Sequence, residues 1–172
     1  MIINFLITGN PGTGKTTLIK KAISDIDHPV GFYTEEIRKN GKRCGFITNT
    51  LSTCNSQQLA HTDISSEHTL GKYKINVQNF EKLIKKEFEN YTKAELLVID
   101  EIGKMEIFSK YFREKIIELL NSPIPLIGII QKTNYPFIKN LTSRNDITIV
   151  ELKRNNSENL FQKITSWINS VT

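Results

Sequence analysis

Apolar and polar residues are arranged along the chain in blocks that predict strands interleaved with helices. Short runs that are apolar on both faces predict buried strands at Ile2–Thr8, Leu96–Ile99, Pro125–Ile130 and Ile147–Val150. Apolar residues at helical spacing predict helices at Thr16–Asp25, Asn79–Asn90, Ser109–Leu120, Pro136–Leu141 and Ser157–Ile168, with Asn79, Ser109 and Ser157 as N-caps. Buried strands that alternate with amphipathic helices imply a mostly parallel sheet with helices on both sides.

A β-hairpin interrupts this alternation near residues 30–48. Val30–Ile37 and Cys44–Thr48 predict its two strands, and the Asn40-Gly41 pair between them favours a tight turn. The polar stretch that follows predicts two shorter strands, near Gln57–Ala60 and at Tyr73–Val77. We therefore predict a single α/β domain over residues 1–172, with the hairpin inserted into its core.

A glycine-rich loop carries the most specific motif, GNPGTGKT, which matches G-x-x-x-x-G-K-[ST] between a predicted strand and a predicted helix. Its glycines let successive backbone N–H groups point at phosphate oxygens, and the helix adds its positive end. Lys15 is expected to reach the β- and γ-phosphates, and the Thr16 hydroxyl to bind Mg²⁺. Thr17 either seats the α-phosphate or packs. The predicted nucleotide-binding residues are Gly9, Asn10, Pro11, Gly12, Thr13, Gly14, Lys15, Thr16 and Thr17.

Two carboxylates end the apolar strand LLVIDE. Asp100 occupies the position of a Walker B aspartate and is predicted to hold Mg²⁺ opposite Thr16. Glu101 follows directly, where a carboxylate can act as a base toward a water molecule beside the γ-phosphate. The alternative is that Glu101 is a solvated loop residue. The predicted catalytic residues are therefore Lys15 and Glu101.

Polar residues also follow the next apolar strand. If this strand lies between the Asp100 strand and the P-loop strand, as in ATPases of the RecA/AAA type, then Gln131 or Lys132 faces the γ-phosphate and could sense it or place water. The alternative is an ordinary transition from strand to loop. A guanidinium group could also stabilise the transferred phosphoryl group. The sequence does not rank the candidates, which are Arg38, Arg43, Arg113, Arg144 and Arg154.

Composition changes this picture little. The formal net charge of +5 over 172 residues suits anionic partners, but a lysine-rich surface gives the same value. Cys44 and Cys54 lack zinc-site spacing, so we expect reduced thiols and a cytoplasmic protein. No apolar run reaches the roughly 18 residues of a membrane helix. Phe32, Tyr33 and Phe46 could stack on a base, although core packing is the alternative that we favour.

The motifs together resemble one family, the small nucleoside-triphosphatases described from thermophiles, also called cancer-related nucleoside-triphosphatases. The similar segments are the P-loop, GFYTEEIRKNGKRCGF at 31–46, GKY at 71–73, VIDEIGKMEIFS at 98–109 and, more weakly, TSRNDI at 142–147. The resemblance implies a three-layer P-loop NTPase fold of RecA/AAA-like type. It also implies Mg²⁺-dependent hydrolysis of ATP, GTP, CTP and UTP with loose base selectivity, and it places Thr34–Arg38 and Gly103–Glu106 in the cleft.

The resemblance has two departures, and other functions stay open. Leu70 stands before Gly71 where a valine is expected, which is a conservative apolar change. Where the family tends to carry an arginine, this chain has Asn156, so Arg154 could substitute or selectivity could differ. A nucleotide or nucleoside kinase is the first alternative, but the sequence has no arginine-dense lid. A nucleotide-gated nucleic-acid-binding module is the second, and the chain lacks an aromatic and basic recognition stretch. The oligomeric state is open, and we favour a monomer.

Overall fold

A single mixed β-sheet forms the framework of the protein in this computed structural model, which describes residues 3–172. Its strands are β1 (Asn4–Thr8), β2 (Pro29–Lys39), β3 (Lys42–Thr50), β4 (Ser56–His61), β5 (Thr69–Leu70), β6 (Tyr73–Ile75), β7 (Leu96–Ile102), β8 (Leu126–Ile130) and β9 (Ile147–Glu151). The helices are α1 (Lys15–Ala22), α2 (Val77–Glu87), α3 (Lys110–Leu120), α4 (Pro136–Thr142) and α5 (Ser157–Val171). The strands lie in the order β5-β6-β4-β3-β2-β7-β8-β1-β9.

The parallel half of the sheet is covered by helices on both faces, which confirms the predicted three-layer α/β fold. Strands β2, β7, β8, β1 and β9 run parallel to one another. Alternate residues of β1 point to opposite faces: Phe5 and Ile7 pack with α1 and α5, whereas Leu6 belongs to the core formed with α2, α3 and α4. The strands are therefore apolar on both faces, as their sequences predict. Ile2, the first residue of the predicted β1, lies outside the described residues.

The antiparallel part of the sheet is larger than the predicted hairpin. The two hairpin strands do pair antiparallel, but β2 also pairs parallel with β7 and so belongs to the core sheet. Strands β3, β4, β6 and β5 then extend the sheet beyond β2. Strand β2 pairs with β7 of the core on one side and with β3 of the extension on the other. The inserted segment therefore starts after β2 and continues to β6.

Of the three predicted N-caps, one is correct and two are wrong. Ser109 caps α3, since its hydroxyl accepts a hydrogen bond of 2.9 Å from the Phe112 N–H group. Helix α2 begins three residues earlier than predicted, and its N-cap is Asn76, whose side chain accepts from the Asn79 N–H group. Helix α5 begins at Ser157, which places Asn156 at the cap position. Two candidate polar residues close together made each of these assignments ambiguous.

A buried carboxylate joins α2 to the start of the extension. Glu87 accepts hydrogen bonds from the backbone N–H groups of Gly31, Ser52 and Thr53 and from the Thr53 hydroxyl, at 2.8–3.0 Å. Beside it, Phe32 is fully buried and packs edge-on against three phenylalanine rings, Phe80, Phe88 and Phe112. Phe32 is therefore a core residue and cannot stack on a nucleobase.

Two other sequence features can be compared with the structure. No helix within residues 3–172 is long and apolar enough to cross a membrane. Cys44 is half-buried and Cys54 is exposed, and both are free thiols.

Candidate active site

A cavity of about 730 Å³ opens at the carboxyl ends of the parallel strands β1, β7 and β8. Strand β8 lies between the other two, which is the order that the RecA/AAA comparison predicts. The P-loop forms one side of the cavity, the turn at 103–106 forms another, and residues of the antiparallel extension form the wall opposite the P-loop. Ligands of open α/β sheets bind at this edge, so the cavity is the natural candidate site.

The lysine of the P-loop motif forms hydrogen bonds to the backbone of the loop itself. Lys15 is the first residue of α1, and its Nζ donates hydrogen bonds of 2.9 Å to the carbonyl oxygens of Gly9 and Asn10. The Thr13 hydroxyl also donates to Asn10, so Thr13 stabilises the loop and is the one predicted binding residue that does not line the cavity. The Lys15 ammonium group therefore lies over the loop in which phosphates bind.

Glycine at position 9 is required by a close approach of two chain segments. Its φ angle is +145°, and a Cβ atom there would lie 2.6 Å from the carbonyl oxygen of Leu152. Leu152 follows β9, and its N–H group donates to the carbonyl of Thr8 at the end of β1. The P-loop is thus held against the neighbouring strand at a distance that only glycine permits.

Asp100 lies at the bottom of the cavity and is only 4% exposed. Burial raises the pKa of its carboxyl group to about 7, against the opposing effect of the nearby Thr16 hydroxyl and the positive charge of Lys15. Its Oδ2 atom is buried and has no hydrogen-bond partner within the part of the chain that the structure describes. A buried carboxylate oxygen without a partner is costly, and a bound cation would satisfy it.

The residues around Asp100 fit a magnesium ion that is held largely by its substrate. Within residues 3–172, no cluster of three or more His, Cys, Asp or Glu side chains could hold a metal alone. Mg²⁺ usually keeps several waters and is bound through one or two protein oxygens together with substrate phosphates. Thr16 and Asp100 supply that number of protein oxygens beside the P-loop.

Glu101 also lines the cavity, next to Asp100 and facing the same space as Lys15. Burial raises the pKa of its carboxyl group, and the positive charge of Lys15 opposes this shift. A carboxylate with a raised pKa is a stronger base than an exposed one. The solvated-loop alternative for Glu101 therefore does not describe its surroundings.

A third carboxyl group that the residue types alone did not single out lies beside this pair. Glu106 is 4% exposed, and its Oε2 atom lies next to Gly103, as does the side chain of Glu101. Burial, and then the negative charge of Glu101, raise the pKa of Glu106 to about 8. Nothing in the spacing of VIDEIGKME indicates that the glutamate at its end turns back into the interior.

These buried carboxyl groups predict an unusual pH dependence of stability in the free protein. The pKa of Glu106 is higher in the folded than in the unfolded protein. Its contribution to the free energy of unfolding is therefore fully present below the unfolded pKa and is lost as pH rises toward 8. We expect the unfolding free energy, measured by urea titration with chelator present, to be on the order of 3 kcal/mol lower at pH 8.5 than at pH 5.5.

The variant Glu106→Gln removes one of the groups responsible. It should be more stable than the native protein at pH 8.5 and should have a flatter pH profile, whereas the exposed-site control Glu114→Gln should keep the native profile. A native profile in Glu106→Gln would contradict the assigned pKa of Glu106.

The two polar residues after β8 have different surroundings. The Gln131 side chain accepts a hydrogen bond of 3.0 Å from the Lys104 N–H group, and so ties β8 to the turn at 103–106. Lys132 is exposed and pairs with Glu151 at 3.5 Å. Both line the cavity, so both stay candidates for contact with phosphate.

The wall opposite the P-loop contains residues from two segments that are distant in the sequence. Glu36 and Arg43 come from β2 and β3, and Tyr73 comes from β6. Both segments, GFYTEEIRKNGKRCGF and GKY, carry the family resemblance, but sequence reasoning could not bring them together. Phe46 lines the same wall and packs against Tyr73, whereas Tyr33 lies under the Lys20 ammonium group outside the cavity.

Asn156 supports the loop between β9 and α5. Its Oδ1 accepts a hydrogen bond from the Lys153 N–H group, and its Nδ2 donates to the carbonyl of Glu151. Arg154 in this loop is exposed. Asn156, which stands where the family tends to carry an arginine, thus stabilises this loop through two hydrogen bonds to its backbone.

Three features together define a P-loop NTPase: the fold, the P-loop after β1, and the buried Asp100 on β7. Strand β8 lies between β1 and β7. A family model described as NTPase matches residues 4–165. Nucleoside-triphosphatase THEP1 of Thermotoga sp. (strain RQ2) is 41% identical over 95% of this chain and 94% of its own. The cancer-related nucleoside-triphosphatase homolog of Mus musculus is 35% identical over 95% of each chain. The chain therefore belongs to this nucleoside-triphosphatase family.

A solved structure agrees with this assignment. The crystal structure of THEP1 from the hyperthermophile Aquifex aeolicus superposes with a TM-score of 0.87 at 32% identity. The superposition covers 96% of this chain and 98% of that one. The architecture described above is thus the family's architecture over almost the whole chain.

Proposed function

We propose that the protein hydrolyses nucleoside triphosphates to diphosphates and phosphate in a Mg²⁺-dependent reaction, with Glu101 as the base that activates water. The observation that carries this proposal is the position of Glu101 in one cavity with the P-loop, Lys15 and the partnerless oxygen of Asp100. The names of the relatives support the same reaction class.

Each predicted site residue has a defined part in this mechanism. The N–H groups of the P-loop and Lys15 bind the β- and γ-phosphates and so fix the phosphorus atom that is attacked. Thr16 and Asp100 would hold Mg²⁺, which supplies positive charge to the phosphate oxygens when bound. Glu101 accepts a hydrogen bond from the attacking water and takes its proton as the water oxygen bonds to the γ-phosphorus. The bond between that phosphorus and the β–γ bridging oxygen breaks, and the nucleoside diphosphate leaves with the bridging oxygen.

Loose base selectivity follows from where these contacts lie. The P-loop, Thr16, Asp100 and Glu101 all act on phosphates or water, and none of them distinguishes one base from another. We therefore propose ATP, GTP, CTP and UTP as substrates. A cytoplasmic location and a monomeric state stay predictions.

Phosphate release from each of the four nucleoside triphosphates, without an acceptor, tests this proposal. We expect turnover with all four in the presence of Mg²⁺, and none with chelator. Asp100→Asn should raise the Mg²⁺ concentration needed for half-maximal turnover at least about tenfold, because one of the two protein oxygens that hold the ion loses its charge.

The outcome that contradicts hydrolysis is tight nucleotide binding without phosphate release. An acceptor screen for kinase activity would then test the first alternative. A salt-dependent affinity for RNA or DNA would support the nucleic-acid-binding alternative.

A further inference from the structure

Arg43 differs from the other candidate arginines in its position. Arg43 lines the cavity. Arg38 and Arg144 are paired with neighbouring carboxylates on the surface, Arg113 donates to the carbonyl of Ile107, and Arg154 is exposed on the β9–α5 loop. Within residues 3–172, Arg43 is thus the one arginine that faces the P-loop across the cavity.

The Arg43 guanidinium group is held on two sides. Its Nε donates a hydrogen bond of 3.0 Å to the Tyr73 hydroxyl, and its Nη1 donates one of 2.7 Å to Glu36. The group also lies over the rings of Phe46 and Tyr73, at 5.2 and 5.8 Å from their centroids. These contacts fix the plane of the guanidinium group before any ligand arrives, which lowers the cost of using it.

One donor nitrogen of this group is not used. The two hydrogen bonds occupy Nε and Nη1, and Nη2 makes no hydrogen bond to any residue that the structure describes. Glu36 accepts from Arg38 as well as from Arg43, so the three side chains together keep a net positive charge. The wall therefore presents an oriented cationic donor to the cavity.

The sheet order brings this donor to the γ-phosphate end of the site. Glu36 lies on β2, and β2 pairs directly with β7, the strand that carries Asp100 and Glu101 near its carboxyl end. The β2–β7 pairing ends at Phe32 and Ile99, and Glu36 lies four residues further along β2, so β2 continues past the paired part of β7 beside the cavity that Arg43, Asp100 and Glu101 all line. Thr16, Asp100 and Glu101 mark the position of the β- and γ-phosphates, so the γ-phosphoryl group is the part of a bound nucleotide closest to this wall.

We propose that Arg43 contacts the γ-phosphoryl group during its transfer to water, with Tyr73 and Glu36 as the residues that position it. This proposal rests on the proposed hydrolysis and names a further catalytic residue for it. A planar guanidinium group suits this role because it can bind two oxygens of the transferred group at once, which an ammonium group cannot.

A competing role for this wall is to bind the base. The ring of Phe46 lines the cavity, but the Arg43 guanidinium group lies over it and occupies the position that a stacked nucleobase would need. The experiment below separates the roles, because a residue that binds the base changes KM in a base-dependent way, whereas contact with the transferred group changes kcat for every base.

The test compares Arg43→Ala, Arg43→Lys and Tyr73→Phe with Arg144→Ala, a matched substitution at a surface ion pair outside the cavity. For Arg43→Ala we expect kcat to fall at least about 100-fold with KM within about threefold for ATP and CTP. Arg43→Lys should recover less than about tenfold of that loss. Tyr73→Phe should lower kcat less than Arg43→Ala, and Arg144→Ala should match the native protein.

Binding of a transition-state mimic provides a readout that does not need turnover. ADP with Mg²⁺ and fluoroaluminate should bind more weakly to Arg43→Ala than to the native protein, whereas ADP alone should bind equally well. Thermal unfolding of each variant checks that it is folded.

Equal fluoroaluminate binding by both folded proteins, or a loss confined to KM and dependent on the base, would overturn the proposal. If the native protein released no phosphate, the proposed hydrolysis would fail by itself, and the fluoroaluminate comparison would still decide the role of Arg43.

Discussion

Replacing Glu101 by glutamine is expected to lower kcat for phosphate release by about 10²–10⁴-fold while nucleotide binding stays within about threefold of native. The side chain lines the cavity beside Asp100 and Lys15, and burial raises the pKa of its carboxyl group, which makes it a stronger base than an exposed glutamate. Glutamine keeps the shape and can still accept a hydrogen bond, but it cannot take the proton of the attacking water. Steady-state phosphate release and titration with a fluorescent nucleotide measure the two quantities.

The control for this variant is Glu35→Gln, which makes the same change one strand away. Glu35 is exposed, pairs with Lys20 at 2.8 Å and does not line the cavity, so we expect native kcat. If Glu101→Gln kept native kcat, water would be activated by another group. If it lost nucleotide binding instead, Glu101 would have a structural or binding role.

Gly31→Ala is expected to produce the largest loss of stability, at least about 4 kcal/mol in the free energy of unfolding. The φ angle of Gly31 is +148°, and a Cβ atom there would lie 1.8 Å from the carbonyl oxygen of Val98. Gly31 pairs with Val98 in the β2–β7 ladder, so the added methyl group can be accommodated only if these two core strands separate. The Gly31 N–H group would also move away from Glu87, which is buried.

Gly41→Ala is the matched substitution. Gly41 also has a positive φ, +75°, but an added Cβ atom there would have nothing within 4 Å, so we expect a loss of only about 1 kcal/mol. Urea unfolding of both variants separates the steric effect from the backbone effect. Equal losses in the two variants would contradict the tight β2–β7 approach.

The core of the fold could be predicted because burial on two faces leaves a strong sequence signal. The buried positions in β1, β7 and β8 are apolar except for Asn4 and Asp100, and the helices between them have clear apolar faces. The P-loop and the Asp100-Glu101 pair were predictable because the motif specifies the backbone as well as the side chains.

The antiparallel extension was less predictable, for a physical reason. Its strands are mostly half-exposed and short, so polar residues such as those in β4 do not separate a strand from a surface loop. The start of α2 was ambiguous because Asn76 and Asn79 are both good N-cap residues, and tertiary packing decided between them.

The cavity wall formed by Glu36, Arg43, Phe46 and Tyr73 depends on contacts between distant parts of the chain. Arg43 and Tyr73 are 30 positions apart and are joined by a hydrogen bond of 3.0 Å. Sequence reasoning named five arginines without ranking them, because an arginine's role depends on what surrounds it and not on its spacing. The family resemblance places Glu106 in the cleft, but its burial was not predictable from spacing, since it comes from the turn at 103–106 folding back into the core.

The central claim is that water, activated in this cavity, attacks the γ-phosphorus of a nucleoside triphosphate. Hydrolysis of ATP in ¹⁸O-labelled water, followed by mass spectrometry of both products, tests it most directly. We predict that the label appears in inorganic phosphate and not in ADP, at a rate that falls in Glu101→Gln. Label in the diphosphate, or no phosphate release together with transfer to an organic acceptor, would contradict the account.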